Sequence, residues 1–252
     1  MTRMLCPATA VMIFWAALSA NGGDWRIGAH GGLSVPQLSS GGNEVSTGYC
    51  SILAPSFGVT TEYCLADRLS VLIEANHSGQ GGARNGFQPI TQVPDGILPL
   101  GQYLYADFDN RCELTYLEIP VMLRYQWISG GKWHFFAEGG LYAGFLLSAK
   151  QKTSGYGQIY SDPGQTDTIF KGTQLPKVSF DANTDIMDDL NKFNWGITAG
   201  AGVAYSLNKV SRIYLDIRGE YGLIALQKDK LNGESNTGCA LFLLGYDYSF
   251  GY

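Results

Sequence analysis

A chain of 252 residues with 33 glycines, 13% aromatic and only 15% charged side chains has the profile of an extended β architecture rather than a helical one. A formal net charge of −5 and the lack of any basic stripe exclude a nucleic-acid binder. Nothing in the length demands a second folded domain.

The chain opens with Arg3 and an apolar run, PATAVMIFWAALSA (7–20), that ends in small residues. This is the pattern of a secretory signal peptide over 1–20, cleaved near Ser19 or Ala20, with a mature domain over 21–252. About 14 apolar residues fall short of the roughly 20 that a helix needs to span a bilayer. Cys6 lies too early to anchor a lipid at that cleavage site.

Eight stretches then alternate apolar and polar residues with a period of two, over about 25–35, 53–66, 68–78, 113–127, 133–149, 193–207, 212–226 and 238–252. In WHFFAEGGLYAGFLL (133–147) every charged or ionisable side chain, His134 and Glu138, falls on an even position. Each stretch is long enough to cross a membrane as a tilted strand of about 9–11 residues. The only helical expectation is a turn or two in TDIMDDLNKF (184–193), with Thr184 or Asp185 as N-cap.

Connections alternate in length. ADR (66–68), ISGGK (128–132) and NKVS (208–211) are tight, whereas 36–52, 79–112, 150–192 and 227–237 are long and rich in Gly, Pro, Asn and Asp. In an up-and-down meander this puts every tight turn at one rim and every long loop at the other. That asymmetry predicts an all-β fold, an eight-stranded antiparallel transmembrane barrel with short periplasmic turns and long extracellular loops. The segment GQIYSDPGQTDTIFK, within 150–192, is a candidate for a further hairpin at the rim.

Parity assigns the two faces. Odd positions such as Val121, Leu141 and Ile217 are apolar, while the charges lie on even ones. A soluble barrel would bury the apolar face and expose the charged one; the number of charges here fits a polar lumen and a lipid-facing exterior. The predicted lumen network is Arg26, Glu62, Glu74, Glu118, Arg124, Glu138, Asp216, Arg218 and Glu220, with Asp247 of the last strand among its acids. Predicted aromatic girdles hold Trp25, Tyr63, Tyr125, Trp127, Trp133, Tyr205 and Phe250 at the tight-turn rim, and Trp195 with other aromatics at the loop end. The last strand, LFLLGYDYSFGY, ends in an aromatic, as outer-membrane assembly signals do. Export also permits disulfides among Cys50, Cys64, Cys112 and Cys239. Cys50–Cys112 is the first pairing to test, and unpaired buried thiols are the alternative.

Four stretches, YLEIPVMLRYQW (116–127), FFAEGGLYAGFLLSAK (135–150), KFNWGITAGAGVAYSL (192–207) and LDIRGEYGLI (215–224), resemble the small outer membrane protein β-barrel domain family of Bacteroidota, the PorT-like group. The resemblance covers nearly all of the mature chain and implies an eight-stranded barrel in the outer membrane of a Gram-negative bacterium. It carries no catalytic signature, and a secretion-associated role is one alternative it raises.

A barrel of this size is filled by its own side chains, so no free diffusion pore is expected. Arg124 is placed near Glu138 across the ISGGK turn, and Arg218 and Glu220 against the small residues Gly200, Gly202 and Ala204. His77 and Ser78 are adjacent in a strand and so face opposite sides, which leaves no nucleophile–base pair and argues against a lipid-modifying enzyme. The reading is a non-enzymatic outer-membrane barrel with a structural or surface-interaction role. A narrow transport path is the alternative. No cofactor, metal or catalytic residue is expected. The expected partners are outer-membrane lipids and lipopolysaccharide, the assembly machinery, and an unnamed ligand of the aromatic loops.

Overall fold

The computed structural model describes residues 24–40, 44–90, 103–128, 131–229 and 234–250; the expected signal peptide lies outside them. The chain forms β1 (Trp25–Ser40), β2 (Ala54–Ala66), β3 (Leu69–Arg84), β4 (Phe87–Ile90), β5 (Leu104–Asp107), β6 (Asp109–Ile128) and β7 (Trp133–Ser154). There follow β8 (Tyr156–Gln158), β9 (Ile169–Phe170), β10 (Thr173–Gln174), β11 (Lys177–Ser179), β12 (Ala182–Asp185), β13 (Phe193–Ser206), β14 (Ser211–Gly222) and β15 (Ser235–Phe250).

Eight of these strands close a ring in the order β1-β2-β3-β6-β7-β13-β14-β15, each antiparallel to the next. Closure is made by β1, whose Trp25 stands opposite Tyr63 of β2 on one side and Phe250 of β15 on the other. A closed ring leaves no unpaired sheet edge, which is what a strand needs inside a hydrocarbon layer.

Several strands run further toward the loops than their alternation indicates. β3 continues to Arg84, opposite Asn110, and β6 and β7 stay paired up to Asp109 and Ser154. Parts of the expected 79–112 and 150–192 loops are therefore strand. Above the apolar band the outward face turns polar, at Arg111, Glu113 and Lys152, while inward positions such as Cys112, Leu114 and Ala149 stay apolar, so the membrane pattern inverts while the backbone ladder goes on. A bulge between Thr115 and Tyr116 adds to this. Beyond it the inward positions of β7 switch from even, as at Leu146, to odd, as at Ala149. The helical expectation at 184–193 reduces to one 3-10 turn, Met187–Asp189, whose N-cap is Ile186. Asp185 instead accepts from the Met187 backbone N–H at 2.9 Å.

The sidedness is unambiguous. Val121, Leu141 and Ile217 are 49%, 55% and 60% exposed, whereas Glu118, Glu138 and Arg218 retain only 2%, 6% and 2%. Each large aliphatic side chain moved from water into acyl chains contributes about 1.5–3 kcal/mol, so a bilayer is the solvent this exterior requires.

Aromatic rings bound that exterior. At the turn rim Trp25 lies 4.8 Å from Tyr63, Tyr125 lies 5.1 Å from Trp127, and Trp133 lies 4.8 Å from Tyr205, all between ring centroids. At the loop end Phe145 and Phe193 are 5.5 Å apart, beside Trp195. Trp195 and Tyr205 mark the two girdles ten residues apart on β13. At about 3.3 Å per residue and a tilt of roughly 40°, that separation is about 25 Å along the membrane normal, the height of an outer-membrane apolar band.

Candidate functional site: a charged plug in the barrel lumen

The even positions of most strands and the odd positions of β15 converge on the barrel axis, and the side chains they bring there form one connected network. Glu62 of β2 is its hub near the turn rim. It accepts from Arg26 Nη1 at 3.1 Å, Arg124 Nη1 at 3.2 Å and Ser70 Oγ at 2.6 Å, and it also pairs with Arg212. Arg212 Nε donates to Asp247 at 2.7 Å and its Nη1 to Gln126 at 3.1 Å.

Glu138 links this hub to the middle of the lumen. One of its oxygens accepts from Arg124 Nε at 2.8 Å, and the other is 2.7 Å from Arg218 Nη2. Arg218 also holds Glu74 at 2.7 Å and Asp216 at 2.8 Å. The ion pairs thereby join residues of β1, β2, β3, β6, β7, β14 and β15. A guanidinium presents five donors in a rigid fork, which is why arginine rather than lysine can tie several strands together at once.

The remaining barrel strand, β13, contributes space. Gly200 stands opposite Arg218, and Gly202 lies beneath the Phe136 ring, where a Cβ would come within 2.3 Å of it. Glu220 faces Thr198 rather than a glycine. Arg124 lies over the face of Phe136 at 4.3 Å, and Phe136 meets Tyr214 edge-on at 6.4 Å. Cation, ring and ring thus fill the cross-section.

Toward the loop end the chemistry changes. No ion pair among the described residues reaches Glu118 or Glu220. Gln80 Nε2 donates to Glu118 at 3.3 Å and approaches Cys239 Sγ at 3.4 Å, while Cys239 Sγ donates to Glu220 at 3.5 Å. Four arginines (26, 124, 212 and 218) therefore face seven buried carboxyl groups (62, 74, 118, 138, 216, 220 and 247), and the excess is concentrated in this pair. Above it the lumen is apolar. Leu38, Cys112, Leu114, Tyr116, Leu146 and Ala149 are capped by the loop residues Leu190 and Leu226.

Arg212 is the network member that parity alone could have found and strand ends concealed. It is an even position, but it sits where the alternating stretch begins.

A polar lumen, an apolar exterior bounded by aromatic girdles and a closed ring of eight strands call for comparison with known barrels. The family model described as an outer membrane protein beta-barrel domain matches residues 15–227. The chain belongs to that family.

Membership puts the barrel in the outer membrane of a Gram-negative bacterium, with its short turns on the periplasmic side and its long loops outside. No curated protein is similar enough to the chain to count as a relative. Among solved structures, the chain is similar to Neisserial surface protein A at 11% identity, over 90% of this chain and 97% of that one, with a TM-score of 0.46. It is similar to outer membrane protein W of Escherichia coli at 16% identity, over 91% and 98% of the two chains, with a TM-score of 0.42. For OprG of Pseudomonas aeruginosa the figures are 12%, 92% and 97%, and 0.41.

In this outer-membrane barrel the expected Cys50–Cys112 disulfide does not form. All four described cysteines are free. Cys50 extends β2 and bridges Ala83 of β3, while Cys112 lies on the far side of β3, opposite Gly82. Two interstrand steps of about 4.8 Å each exceed the roughly 7 Å over which a disulfide can reach. Cys112 is also buried under the apolar cap while Cys50 is exposed.

The histidines are held as isolated hydrogen-bonding or stacking groups. His30 Nδ1 is 3.3 Å from the Tyr214 hydroxyl, and His134 Nε2 is 3.0 Å from Ser206 Oγ. His77 points outward and stacks on Phe57 at 4.5 Å, whereas Ser78 is wholly buried on the inner face.

Proposed function

We propose that the chain is a non-enzymatic outer-membrane barrel whose filled lumen holds the wall rigid while its loops present an interaction surface outside the cell. The observation that carries this reading is the arginine–carboxylate network that crosses the axis from seven of the eight strands. A lumen closed in this way is a strut. Each of its guanidinium groups is held by partners on other strands, so the side chains that fill the axis also brace the wall.

The loops are built as a surface. β4 pairs with β5, β8 with β11 and β9 with β10, and a bridge between Tyr105 and Tyr160 joins two of these hairpins. Phe87 stacks on Tyr105 at 5.8 Å, and Phe108 on Phe180 at 4.8 Å. The Tyr105 hydroxyl donates to Glu44 at 2.9 Å; partial burial and that bond push its pKa up to about 12. Rigid aromatic rings on an ordered rim suit recognition.

Export by the 1–20 segment and kinship with the PorT-like barrels of Bacteroidota belong to the same proposal, on the strand stretches that resemble that group. So do the proposed partners: lipid and lipopolysaccharide against the girdles, the assembly machinery on the last strand, and a surface ligand. The opposed directions of His77 and Ser78 support the non-enzymatic reading. The experiment is planar-bilayer conductance of the refolded barrel. The expected result is no steady current; a steady current that changes on Glu138→Gln would replace this reading with a narrow transport path.

A further inference from the structure

Among the described residues, the apolar cap at the loop end does not close on itself. Between it and the loops lies a cavity of about 130 Å³, lined on its apolar side by Leu38, Tyr49, Ile186, Leu190 and Leu226 and on its polar side by Gln151, Asp189, Gln227 and Ser235. We infer that this cavity is a binding site for a small apolar molecule, of aromatic-ring size, that carries a single hydroxyl or amine donor.

Four observations point there. The volume is close to that of an apolar protein cavity of about 150 Å³ that admits benzene. The walls are preformed, which limits the ordering cost of binding. Leu190 bridges Gln227, the Asn191 backbone N–H donates to Leu226 at 2.8 Å, and the Leu226 N–H donates to Ser235 at 2.7 Å. The lining includes the Asp189 carboxylate, an acceptor that selects a donor on the ligand. Beneath the cavity, the glutamate pair and the arginine network close the axis, so a molecule entering from outside is held rather than passed on.

This deepens the surface-interaction reading and rests on it, since it names a ligand class for the outward end of a blocked barrel. Collapse of a leucine-lined space is the ordinary fate of a core, and interiors keep few voids of this size. Here, among the described residues, the polar lumen below is filled and the apolar cap above it retains a cavity.

The test is saturation-transfer NMR with phenol as the probe, on the barrel in lipid nanodiscs. The expected result is saturable transfer from protein methyl groups. Leu190→Trp, which fills the cavity, should weaken binding at least about tenfold. Leu141→Trp on the lipid face should leave it unchanged, which controls for phenol dissolved in the bilayer. Should Leu190→Trp fail to show the heat-modifiable mobility of a folded barrel, Leu226→Phe takes its place. Absence of saturable transfer, or equal transfer in the cavity-filling variant, overturns the site. Conductance of the same preparation separates the two proposals. A silent barrel that ignores phenol removes the pocket alone; a conducting barrel that binds it removes the surface-interaction reading and keeps the pocket.

Discussion

Arg124 and Glu138 stand directly opposite each other across the β6–β7 hairpin, and Arg124 Nε donates to Glu138 at 2.8 Å with both side chains almost wholly buried. The second oxygen of Glu138 meets Arg218. One carboxylate therefore neutralises parts of two guanidinium groups in a site that bulk water does not reach.

Glu138→Ala leaves those two charges short of a partner. Breaking a buried pair from one side costs about 3–5 kcal/mol, so the urea midpoint for unfolding from vesicles should fall accordingly. Replacing Arg124 as well, in Arg124→Met with Glu138→Leu, should recover only the part of the loss owed to Arg124, because Arg218 still lacks its Glu138 contact. A single variant as stable as the wild type would show that the plug does not brace the wall.

Glu118→Gln should act in the opposite sense. Glu118 and Glu220 share the loop end of the lumen with no ion pair to either among the described residues, and Gln80 already donates to Glu118. Removing one of two adjacent acids while keeping the shape should raise stability by about 1 kcal/mol. A drop as large as that of Glu138→Ala would mean that this pair is held by something other than Gln80 and Cys239.

Val121→Arg probes the outer wall. Val121 pairs with Leu141 on the lipid face, well inside both girdles. A cation near the bilayer midplane costs about 2–4 kcal/mol in such barrels, and the cost should shrink when the same change is made at Trp127 near the rim. Equal costs at the two depths would contradict the membrane placement of the girdles.

At the tip of the β8–β11 excursion, Asp162 accepts from the backbone N–H groups of Asp167 at 2.7 Å and Gly164 at 2.9 Å, and from the Thr166 hydroxyl at 3.0 Å. These bonds, the one from Asp167 first, hold its pKa below the ordinary carboxylate range. A depressed folded value means that the turn is fully supported above the unfolded pKa of about 3.9 and loses that support as pH falls through the lower folded value. The amide shifts of Gly164, Thr166 and Asp167 should therefore stay constant from neutral pH to about 5 and move only below about 4. Asp162→Asn should abolish the titration; amides that titrate with a midpoint above 4.5 would refute the assignment.

Much of this architecture is written locally. In 133–147 the placement of His134 and Glu138 on even positions already separates the faces, because successive side chains of a strand point to opposite sides. The short ISGGK turn places Arg124 diagonal to Glu138 from sequence alone, and the hairpin's actual register sets them directly opposite. The upper parts of β3, β6 and β7 were not legible in the same way. There Arg111, Glu113 and Lys152 make the outward face polar while Cys112, Leu114 and Ala149 point inward, and the bulge at Thr115 shifts parity by one.

What the sequence by itself determined, then, is the strand order, the two faces and the membrane as solvent, because period and turn length are properties of neighbouring residues. Only the tertiary structure decided that Arg212 joins Glu62 across 150 positions, that Cys50 and Cys112 stay apart, and that Leu190 and Leu226 roof a cavity over the lumen. Those outcomes depend on how the ring closes and how the loops fold back over its mouth, and closure brings together residues whose separation along the chain carries no trace of their meeting.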